Sequence, residues 1–268
     1  MENNEFLIRE AFNSISSNYR YENDNYFTFL LRSQTRNLVS KYTSSYKGQK
    51  RCLEIGSGTG EDTLWFLENN WEILSTDISP KMCDEISSIV KKRYNRIPST
   101  LRILPWSTVD IKKNLESLDQ SFNLIYSSMG ALNCDFNLKS FFNSVHKSLA
   151  QDGLIVISVM NRFSFWVILR NIIKKRKIQL PNSIELVSVG SFKVPTMFYN
   201  LEDFKSIIQD HFRIIEIFSN PCLLLPPIFF KNVKKSKFLK LLSKFDFFCK
   251  YTRLKNFGDH IIVVARKK

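Results

Sequence analysis

The sequence is poor in the residues that build disulfide frameworks and metal sites. Among 268 residues it has only three histidines and five cysteines, which are Cys52, Cys83, Cys134, Cys222 and Cys249. The number of cysteines is odd, they are far apart in sequence, and they include no C-x-x-C pair. This usage argues against a disulfide framework and structural zinc and is typical of a reducing cytoplasm. We therefore expect a cytoplasmic protein without a metal site.

Long apolar runs are also missing. A membrane-spanning helix needs about 18 or more apolar residues in succession, and the strongest candidate, 163–173, is interrupted by Ser164, Arg170 and Asn171. The first residues, MENNEFLIRE, lack a basic region followed by an apolar stretch, so we expect no signal peptide. Hydrophobic residues nevertheless make up 44% of the chain, with 23 Phe, which is enough for a core and excludes disorder.

Acidic residues are scarce in only one part of the chain. Residues 1–160 contain 18 Lys and Arg and 18 Asp and Glu, whereas residues 161–268 contain 21 and 7. The net charge of +14 therefore belongs to the last two-fifths of the sequence. Excess positive charge favours an anionic partner, such as a nucleic acid, a membrane surface or an acidic small molecule.

The spacing of apolar residues predicts an α/β domain. Residues 1–45 have helical periodicity and form an N-terminal helical cap. From 51 to 160 short apolar strands alternate with helical patterns, which indicates βαβ units and a parallel sheet. Two further strands are expected at Phe212–Phe218 and His260–Ala265.

Two stretches, 161–200 and 219–258, do not fit the alternation, and both are basic and contain aromatic residues. Such long insertions are usually functional or disordered, and their Phe and Leu content favours order. In the second insertion a basic amphipathic helix is expected within 231–255, with the apolar positions Phe238, Leu241, Leu242, Phe245 and Phe248 beside Lys237, Lys240 and Lys244. Such a helix can lie on an anionic membrane, or it can pack on the domain as a lid. A second basic cluster is Lys174, Lys175, Arg176 and Lys177.

The strongest local motif is LEIGSGTGE at residues 53–61. A strand that ends in a glycine-rich turn lets a ligand lie against the main chain. The third glycine of a dinucleotide fingerprint would be at position 61, where this sequence has Glu61, followed by Asp62. Both carboxylates would repel a pyrophosphate at the helix N-terminus, so NAD and nucleoside triphosphates are poor candidates.

Asp77 lies 21 residues after Gly56, just past the second strand. A carboxylate at this place can accept hydrogen bonds from both ribose hydroxyls of a nucleoside, and Ile78 offers an apolar face to the base. The two motifs together predict a nucleoside ligand with a tail that carries no phosphate.

The segment LEIGSGTGEDTLWFLENNWEILSTDISPKM (53–82) resembles the cofactor half of class I S-adenosylmethionine-dependent methyltransferases. It is most similar in style to the small-molecule branch that includes quinone-biosynthesis methyltransferases. SFNLIYSSMGALN (121–133), SLAQDGLIVISVMNR (148–162) and FNSISSNY (12–19) extend the resemblance over about residues 12–162, and HIIVVAR fits the last strand. The resemblance implies one domain, 1–268, with a Rossmann-like sheet of seven strands. The strands would be mostly parallel, the last one antiparallel, with helices on both faces.

The resemblance also implies a binding site for S-adenosylmethionine. The glycine turn would face the methionine part, Glu54 would anchor its amino group, Asp77 would hold the ribose, and Tyr19 would close over the cofactor. Relatives often bind the adenine through an acidic turn at this place, where this sequence has Trp106 and Ser107. Stacking would replace part of that recognition. Whether Asp110 also reaches the adenine is left open. The expected set is Tyr19, Glu54, Gly56, Ser57, Gly58, Gly60, Asp77, Ile78, Met82, Trp106, Ser107 and Ser127.

An antiparallel last strand would begin at the ligand-binding edge of the sheet. His260 is thus a candidate general base oriented by Asp259, and the alternative is that both residues only cap the strand. Asn133, Asn161 and Arg162 follow the fourth and fifth strands and are candidates for substrate binding or for loop capping.

The expected function is methyl transfer to an oxygen or nitrogen atom of a small-molecule acceptor. The acceptor would be hydrophobic or anionic, a secondary metabolite or a lipid-like molecule, with peripheral membrane contact through 231–255. One alternative is an RNA methyltransferase, but SSMGALN stands where an Asn-Pro-Pro-Tyr-like motif would be expected and no RNA-binding module is recognisable, so we do not expect a nucleic-acid partner. Another is a non-catalytic, cofactor-binding or membrane-associated accessory protein, against which the intact glycine turn and Asp77 argue.

Overall fold

The computed structural model describes residues 2–118, 121–173, 183–222, 245–246, 248–249 and 251–268. The helices are α1 (Glu2–Glu22), α2 (Tyr26–Thr43), α3 (Glu61–Glu68), α4 (Pro80–Tyr94), α5 (Thr108–Asn114), α6 (Leu138–Lys147), α7 (Phe165–Ile173) and α8 (Leu201–Gln209). The strands are β1 (Arg51–Ile55), β2 (Glu72–Thr76), β3 (Leu101–Leu104), β4 (Phe122–Ser127), β5 (Leu149–Met160), β6 (Ile184–Val189), β7 (Phe192–Met197), β8 (Phe212–Asn220) and β9 (His260–Lys267). Within these residues, short 3-10 helices also cover Leu115–Leu118, Ala131–Cys134 and Arg253–Asn256.

Seven strands form one sheet in the order β3-β2-β1-β4-β5-β9-β8. The pairs among β1 to β5 are parallel, and β9 is antiparallel to both of its neighbours. His260, the first residue of β9, pairs with Met160 at the end of β5 and with Asn220 at the end of β8. The expected Rossmann-like sheet is confirmed, and its antiparallel strand begins at the carboxyl edge of the parallel strands.

Helices cover both faces of this sheet because successive strand residues point to opposite sides. Cys52 of β1 belongs to a core with Phe66 of α3, on the side that also holds α2 and α4. The next residue, Leu53, belongs to a core with Phe142 of α6, on the side of α5 and α8. Both cores converge on β1, β4, β5 and β9, which fixes the carboxyl edge of the sheet as a rigid platform.

Both strands expected near the end of the chain are longer in the structure, since β8 extends to Asn220 and β9 to Lys267. β5 begins at Leu149 and includes Asp152 and Gly153. Phe122 pairs with Leu149, whereas Leu124 pairs with Leu154, which shows that β5 accommodates the turn residues as a bulge.

The first insertion contains a hairpin that the sequence analysis did not predict. β6 and β7 pair antiparallel from Ile184↔Met197 to Val189↔Phe192, and Gly190 makes the turn with φ +58. A Cβ placed on Gly190 would lie 2.9 Å from Ile15 Cγ2, so the turn packs against α1. Pro195 lies within β7, although proline in a sequence usually argues against a strand. It is tolerated here because β6 and β7 form a two-stranded sheet, in which both strands are edge strands.

Most of the expected amphipathic helix, residues 231–244, and the cluster Lys174–Lys177 lie outside the described residues. In the part of the chain that the structure describes, every helix is too short or too polar to cross a bilayer.

Candidate functional site

The glycine turn between β1 and α3 is anchored to the end of β2. The backbone N–H and the hydroxyl of Ser57 both donate to the carbonyl of Thr76, at 3.0 and 3.1 Å. Gly56, Gly58 and Gly60 all have positive φ, between +55 and +83. At Gly56 a side chain is excluded as well, because an added Cβ would lie 2.1 Å from the Cβ of Ala131. The turn is therefore a strained main-chain cradle that only glycine accommodates.

Asp77 holds this cradle to the segment after β2. Its carboxylate accepts hydrogen bonds from the N–H groups of Gly58 and Ser79, both at 2.9 Å. The side chain is buried, and burial raises its pKa to about 6 although the two backbone donors lower it. Each carboxylate oxygen accepts one of these bonds and keeps one lone pair, so the pair of oxygens can still accept from two ribose hydroxyls.

Glu54 is buried beneath the first turns of α3. Its Oε2 accepts a hydrogen bond from Thr63 Oγ1 at 2.6 Å, while Oε1 is buried without a hydrogen-bond partner among the described residues. Burial, with the nearby Asp62 as a second cause, raises the pKa of Glu54 to about 8. A buried carboxyl with an unsatisfied oxygen is a suitable partner for an ammonium group, because the bond removes the desolvation penalty of both.

Helix α1 crosses over the glycine turn and the segment after Asp77. Tyr19 Cε1 lies 3.5 Å from the position of a Cβ on Gly58. Further along α1, Arg9 Nε donates to the carbonyl of Ile78 at 3.3 Å, and Asn13 Oδ1 accepts from Ser79 Oγ at 2.6 Å. Burial raises the pKa of the Tyr19 hydroxyl, which stays neutral at physiological pH. The N-terminal cap thus covers the region expected to hold the nucleoside.

An arginine cluster that the sequence analysis did not find joins this cap to α3. Arg20 Nε lies 2.7 Å from Glu61, and Arg36 Nε donates to Asp62 at 2.6 Å. Arg32 reaches both carboxylates at longer distance. The spacing of Arg32 and Arg36 predicts that they lie on one helix face. A local sequence pattern cannot identify their acidic partners in another element. The acidic start of α3 is therefore compensated from α1 and α2.

The residues expected near the adenine lie together at the ends of β2 and β3. Met82 is buried in the first turn of α4, and Ile78 packs in a small cluster beneath α1. The backbone carbonyl of Leu104 accepts from the N–H groups of Asp77 and Trp106, at 3.3 and 2.8 Å, so Trp106 adjoins the site. Ser107 caps α5 in a reciprocal pair with Asp110, which assigns both side chains a local role.

The turn after β4 lies between the glycine turn and His260. Ala131 packs against Gly56 as described, and a Cβ on Gly130 would lie 3.6 Å from His260 Nε2. Gly130 and its neighbour Met129 both have positive φ, +77 and +58. Strained backbone of this kind clusters at functional sites. Ser127, just before the turn, is fully buried and donates to the carbonyl of Ile55 at 3.0 Å.

His260 and Asp259 form a pair at this edge. His260 Nδ1 lies 2.9 Å from Asp259 Oδ2, an ion-pair distance that does not meet hydrogen-bond geometry. Ser164 Oγ donates to the other carboxylate oxygen at 3.4 Å, and the ring of Phe27 lies 6.4 Å from the imidazole. Neither Ser164 nor Phe27 was expected here, because both come from elements far away in sequence. The imidazole is buried, with Nε2 beside the turn after β4.

The three candidate acceptor residues lie at the same edge, and their described contacts hold loops together. Asn133 Oδ1 accepts from Met160 N at 2.9 Å, and its amide donates to the carbonyl of Met197. The Asn161 amide donates to the carbonyls of Asn256 and Gly258, at 2.8 and 2.7 Å. The backbone N–H of Arg162 donates to the carbonyl of Tyr199 at 2.7 Å. A role of these side chains in substrate binding stays a prediction.

Comparison with known proteins agrees with this geometry. Residues 53–155 match the model of a family described as a methyltransferase domain. An uncharacterized protein of Methanocaldococcus jannaschii, MJ1252, is 23% identical over 97% of this chain and 90% of its own length. Its description names no activity.

Solved structures share the fold at low sequence identity. Magnesium protoporphyrin IX methyltransferase from Synechocystis, with bound S-adenosylhomocysteine, superimposes with a TM-score of 0.59 at 12% identity and covers 99% of this chain and 100% of its own. The 1,6-didemethyltoxoflavin-N1-methyltransferase of Burkholderia thailandensis gives 0.56 at 14% identity over 98% and 88%. Residues 53–155, which include the glycine turn, Asp77 and β4, therefore match a methyltransferase domain, and the chain shares the fold of solved S-adenosylmethionine-dependent methyltransferases.

Proposed function

We propose that the protein transfers a methyl group from S-adenosylmethionine to an oxygen or nitrogen atom of a hydrophobic or anionic small molecule, a secondary metabolite or a lipid-like compound. The observation that carries this proposal is the position of His260, whose Nε2 faces Gly130 across the turn from the glycine cradle. By their descriptions, both solved structures named above are small-molecule methyltransferases, of 1,6-didemethyltoxoflavin and of magnesium protoporphyrin IX, which supports an acceptor of this kind.

The residues at the site fit the cofactor. Glu54 offers an unsatisfied buried oxygen for the amino group, Asp77 retains acceptor capacity for the ribose, and the glycine turn offers a main chain free of side chains. S-adenosylmethionine, when bound, supplies an electrophilic methyl group on a sulfonium and is converted to S-adenosylhomocysteine. Since its tail has no phosphate, the carboxylates at the start of α3 do not oppose it.

The chain's own contribution to the chemistry is to position and deprotonate the acceptor. Proximity and orientation can supply about 7–11 kcal/mol of a displacement barrier in favourable cases. His260 Nε2 accepts the proton from the acceptor O–H or N–H as the new bond to carbon forms. For this step the imidazole would carry its hydrogen on Nδ1, which lies 2.9 Å from the Asp259 carboxylate, and would keep the lone pair on Nε2.

The test separates cofactor binding from turnover. Wild type and the variant His260→Gln are titrated with S-adenosylmethionine by calorimetry, and formation of S-adenosylhomocysteine is measured with a small-molecule extract of the source cells. A general base contributes about 10²–10⁴-fold, so we expect a rate loss of that size with unchanged cofactor affinity. His146→Gln, which lies on α6 away from this pair, is the matched control.

Full turnover by His260→Gln with normal cofactor binding would remove His260 as the base. Product formation with total RNA of the source cells, and none with the small-molecule extract, would favour the RNA methyltransferase alternative. A wild-type chain that does not bind S-adenosylmethionine would favour the non-catalytic alternative.

A further inference from the structure

The segment that leads into His260 has an inside-out distribution of side chains. Asp246 is fully buried and Cys249 nearly so, whereas Phe245 and Phe248 are 55% and 61% exposed. The Asp246 carboxylate accepts a hydrogen bond from the backbone N–H of Cys222 at 2.7 Å, which fixes the polar side of the turn inward. A charged residue inside and aromatic residues outside reverse the usual pattern of a soluble surface.

The exposed side chains continue at a regular interval of three residues. Tyr251 is 71% exposed and Leu254 is 38% exposed, so the aromatic face, which we define as Phe245, Phe248, Tyr251 and Leu254, extends over ten residues. Arg253 and Lys255 are also exposed and flank its end. Large apolar side chains that are exposed repeatedly within ten residues of sequence are a candidate binding surface.

Charge decides among the partners that this face can take. The two insertions, 161–200 and 219–258, contain sixteen Lys and Arg but only two acidic residues, Glu185 and Asp246, of which Asp246 is buried. A second copy of the chain would bring like charges together, which opposes self-association through this face. A nucleic acid would use the positive charge and could stack on the aromatic rings, but it would gain little from Leu254. An anionic bilayer satisfies both, because aromatic residues enter the headgroup boundary and basic residues meet the lipid phosphates.

The aromatic face is rigidly joined to the acceptor edge. The Ser219 hydroxyl accepts from Gly258 N and donates to the carbonyl of Lys255, both at 2.6 Å. Asn161, at the end of β5, holds the carbonyls of Asn256 and Gly258. Only five residues separate Leu254 from His260. A bilayer in contact with the aromatic face would therefore lie beside the edge of the sheet that carries His260.

We infer that the aromatic face is a docking surface for an anionic phospholipid bilayer, which presents a lipid-borne acceptor at the edge of the sheet that carries His260. The evidence for docking is the exposure and the charge of this segment, and it does not depend on the proposed function. Only its consequence for the acceptor rests on the proposed function.

The experiment measures partition of the full-length protein onto vesicles by co-sedimentation. Vesicles of phosphatidylcholine alone are compared with vesicles of phosphatidylcholine and phosphatidylglycerol in equal amounts. We expect binding to the anionic vesicles, weakened by added salt, and weak binding to the neutral ones. Equal binding to both kinds, or binding to neither, would overturn the inference.

Two pairs of variants locate the surface. Phe248→Ser with Tyr251→Ser should lower the partition coefficient on the order of tenfold or more, as expected for removing two aromatic side chains from the interface. The control Tyr21→Ser with Phe29→Ser removes two aromatic residues that are 83% and 63% exposed on α1 and α2 and should change it little. If both double variants bind alike, the aromatic face is not the docking surface.

The charge pair is Arg253→Glu with Lys255→Glu, matched by Lys91→Glu with Lys92→Glu at the exposed end of α4. We expect the first to weaken vesicle binding several-fold more than the second. An equal loss of vesicle binding in both charge variants, together with competition by polyuridylate for the anionic vesicles, would identify general polyanion binding. This result would overturn the inference of a bilayer. Calorimetry with S-adenosylmethionine in the same variants should show unchanged affinity, which separates failure of this inference from failure of the proposed function.

Discussion

Arg36 of α2 donates from Nε to the carboxylate of Asp62 at 2.6 Å, across 26 residues of sequence. The same carboxylate accepts from Ser128 Oγ at 2.7 Å, so one buried acid connects the N-terminal cap, the start of α3 and the turn after β4. Three parts of the candidate site are thereby held by a single side chain.

Removing the arginine should therefore cost more than removing a surface ion pair. We expect Arg36→Met to lower the free energy of unfolding by about 1–3 kcal/mol, because a buried carboxylate loses its short ion pair and keeps only Arg32 at 3.9 Å. Arg93→Met breaks an exposed pair with Glu68 at 3.2 Å and should cost less than about 1 kcal/mol. Urea denaturation of both variants measures the difference. Equal effects would show that Asp62 is stabilised without Arg36.

Gly56 should tolerate no side chain. Gly56→Ala places a Cβ 2.1 Å from Ala131 in a residue with φ +67, so we expect destabilisation of about 2 kcal/mol or more and loss of cofactor binding. Gly48→Ala, where an added Cβ meets only the Tyr46 ring at 3.2 Å, is the control. Adding Ala131→Gly to Gly56→Ala should restore part of the stability by removing the clash, and a thermal melt measures this. No restoration would mean that backbone strain alone accounts for the loss.

The buried Glu54 carboxyl should make stability depend on pH. Its pKa of about 8 lies above the ordinary value of 4.5, so the folded protein keeps a proton that the unfolded chain releases between these values. The free energy of unfolding should therefore fall as pH rises from about 5 to 8, by a few kcal/mol in order of magnitude. Glu54→Gln should flatten this dependence, and the exposed Glu22→Gln should not. An unchanged slope in Glu54→Gln, measured by urea denaturation at several pH values, would contradict the assignment.

Cofactor affinity should weaken in acid through Asp77. The pKa of this carboxyl is raised to about 6 by burial, so protonation as pH falls through 6 removes a charged acceptor for the ribose hydroxyls. A hydrogen bond to a charged group contributes about 1.5–3 kcal/mol, which predicts a roughly tenfold or greater rise in Kd between pH 7 and 5. Calorimetry should show weaker and less pH-dependent binding for Asp77→Asn.

The exposed neighbour Asp84→Asn on α4 is the control for this prediction. If Asp77→Asn binds S-adenosylmethionine as tightly as wild type at pH 7, the ribose is not held by Asp77. The carboxylate would then serve only to fix Gly58 and Ser79, the two contacts that the structure shows.

The elements with strong local signals agree with the structure. The strand and turn at 51–60 and the last strand from His260 both form where the apolar periodicity and the turn residues predict them. Hydrophobic alternation and glycine turns are patterns of a few neighbouring residues. They therefore predict local structure without knowledge of the segments that pack against it. The hairpin β6–β7 gave no such signal, because Ile184 and Leu186 of β6 are exposed and β7 contains Pro195, while its turn packs against α1.

The sequence by itself determined the superfamily fold, the glycine cradle with Asp77, and the confinement of the positive charge to the last two-fifths of the chain. Only the tertiary structure decided how the polar residues at the sheet edge are used. It engages Asn161 with Gly258, 97 residues away, leaves Glu54 Oε1 without a partner among the described residues, and turns Phe248 outward while Asp246 is buried. The physical reason is that hydrogen bonding and burial depend on groups brought together from distant parts of the chain, which residue type and local period do not specify.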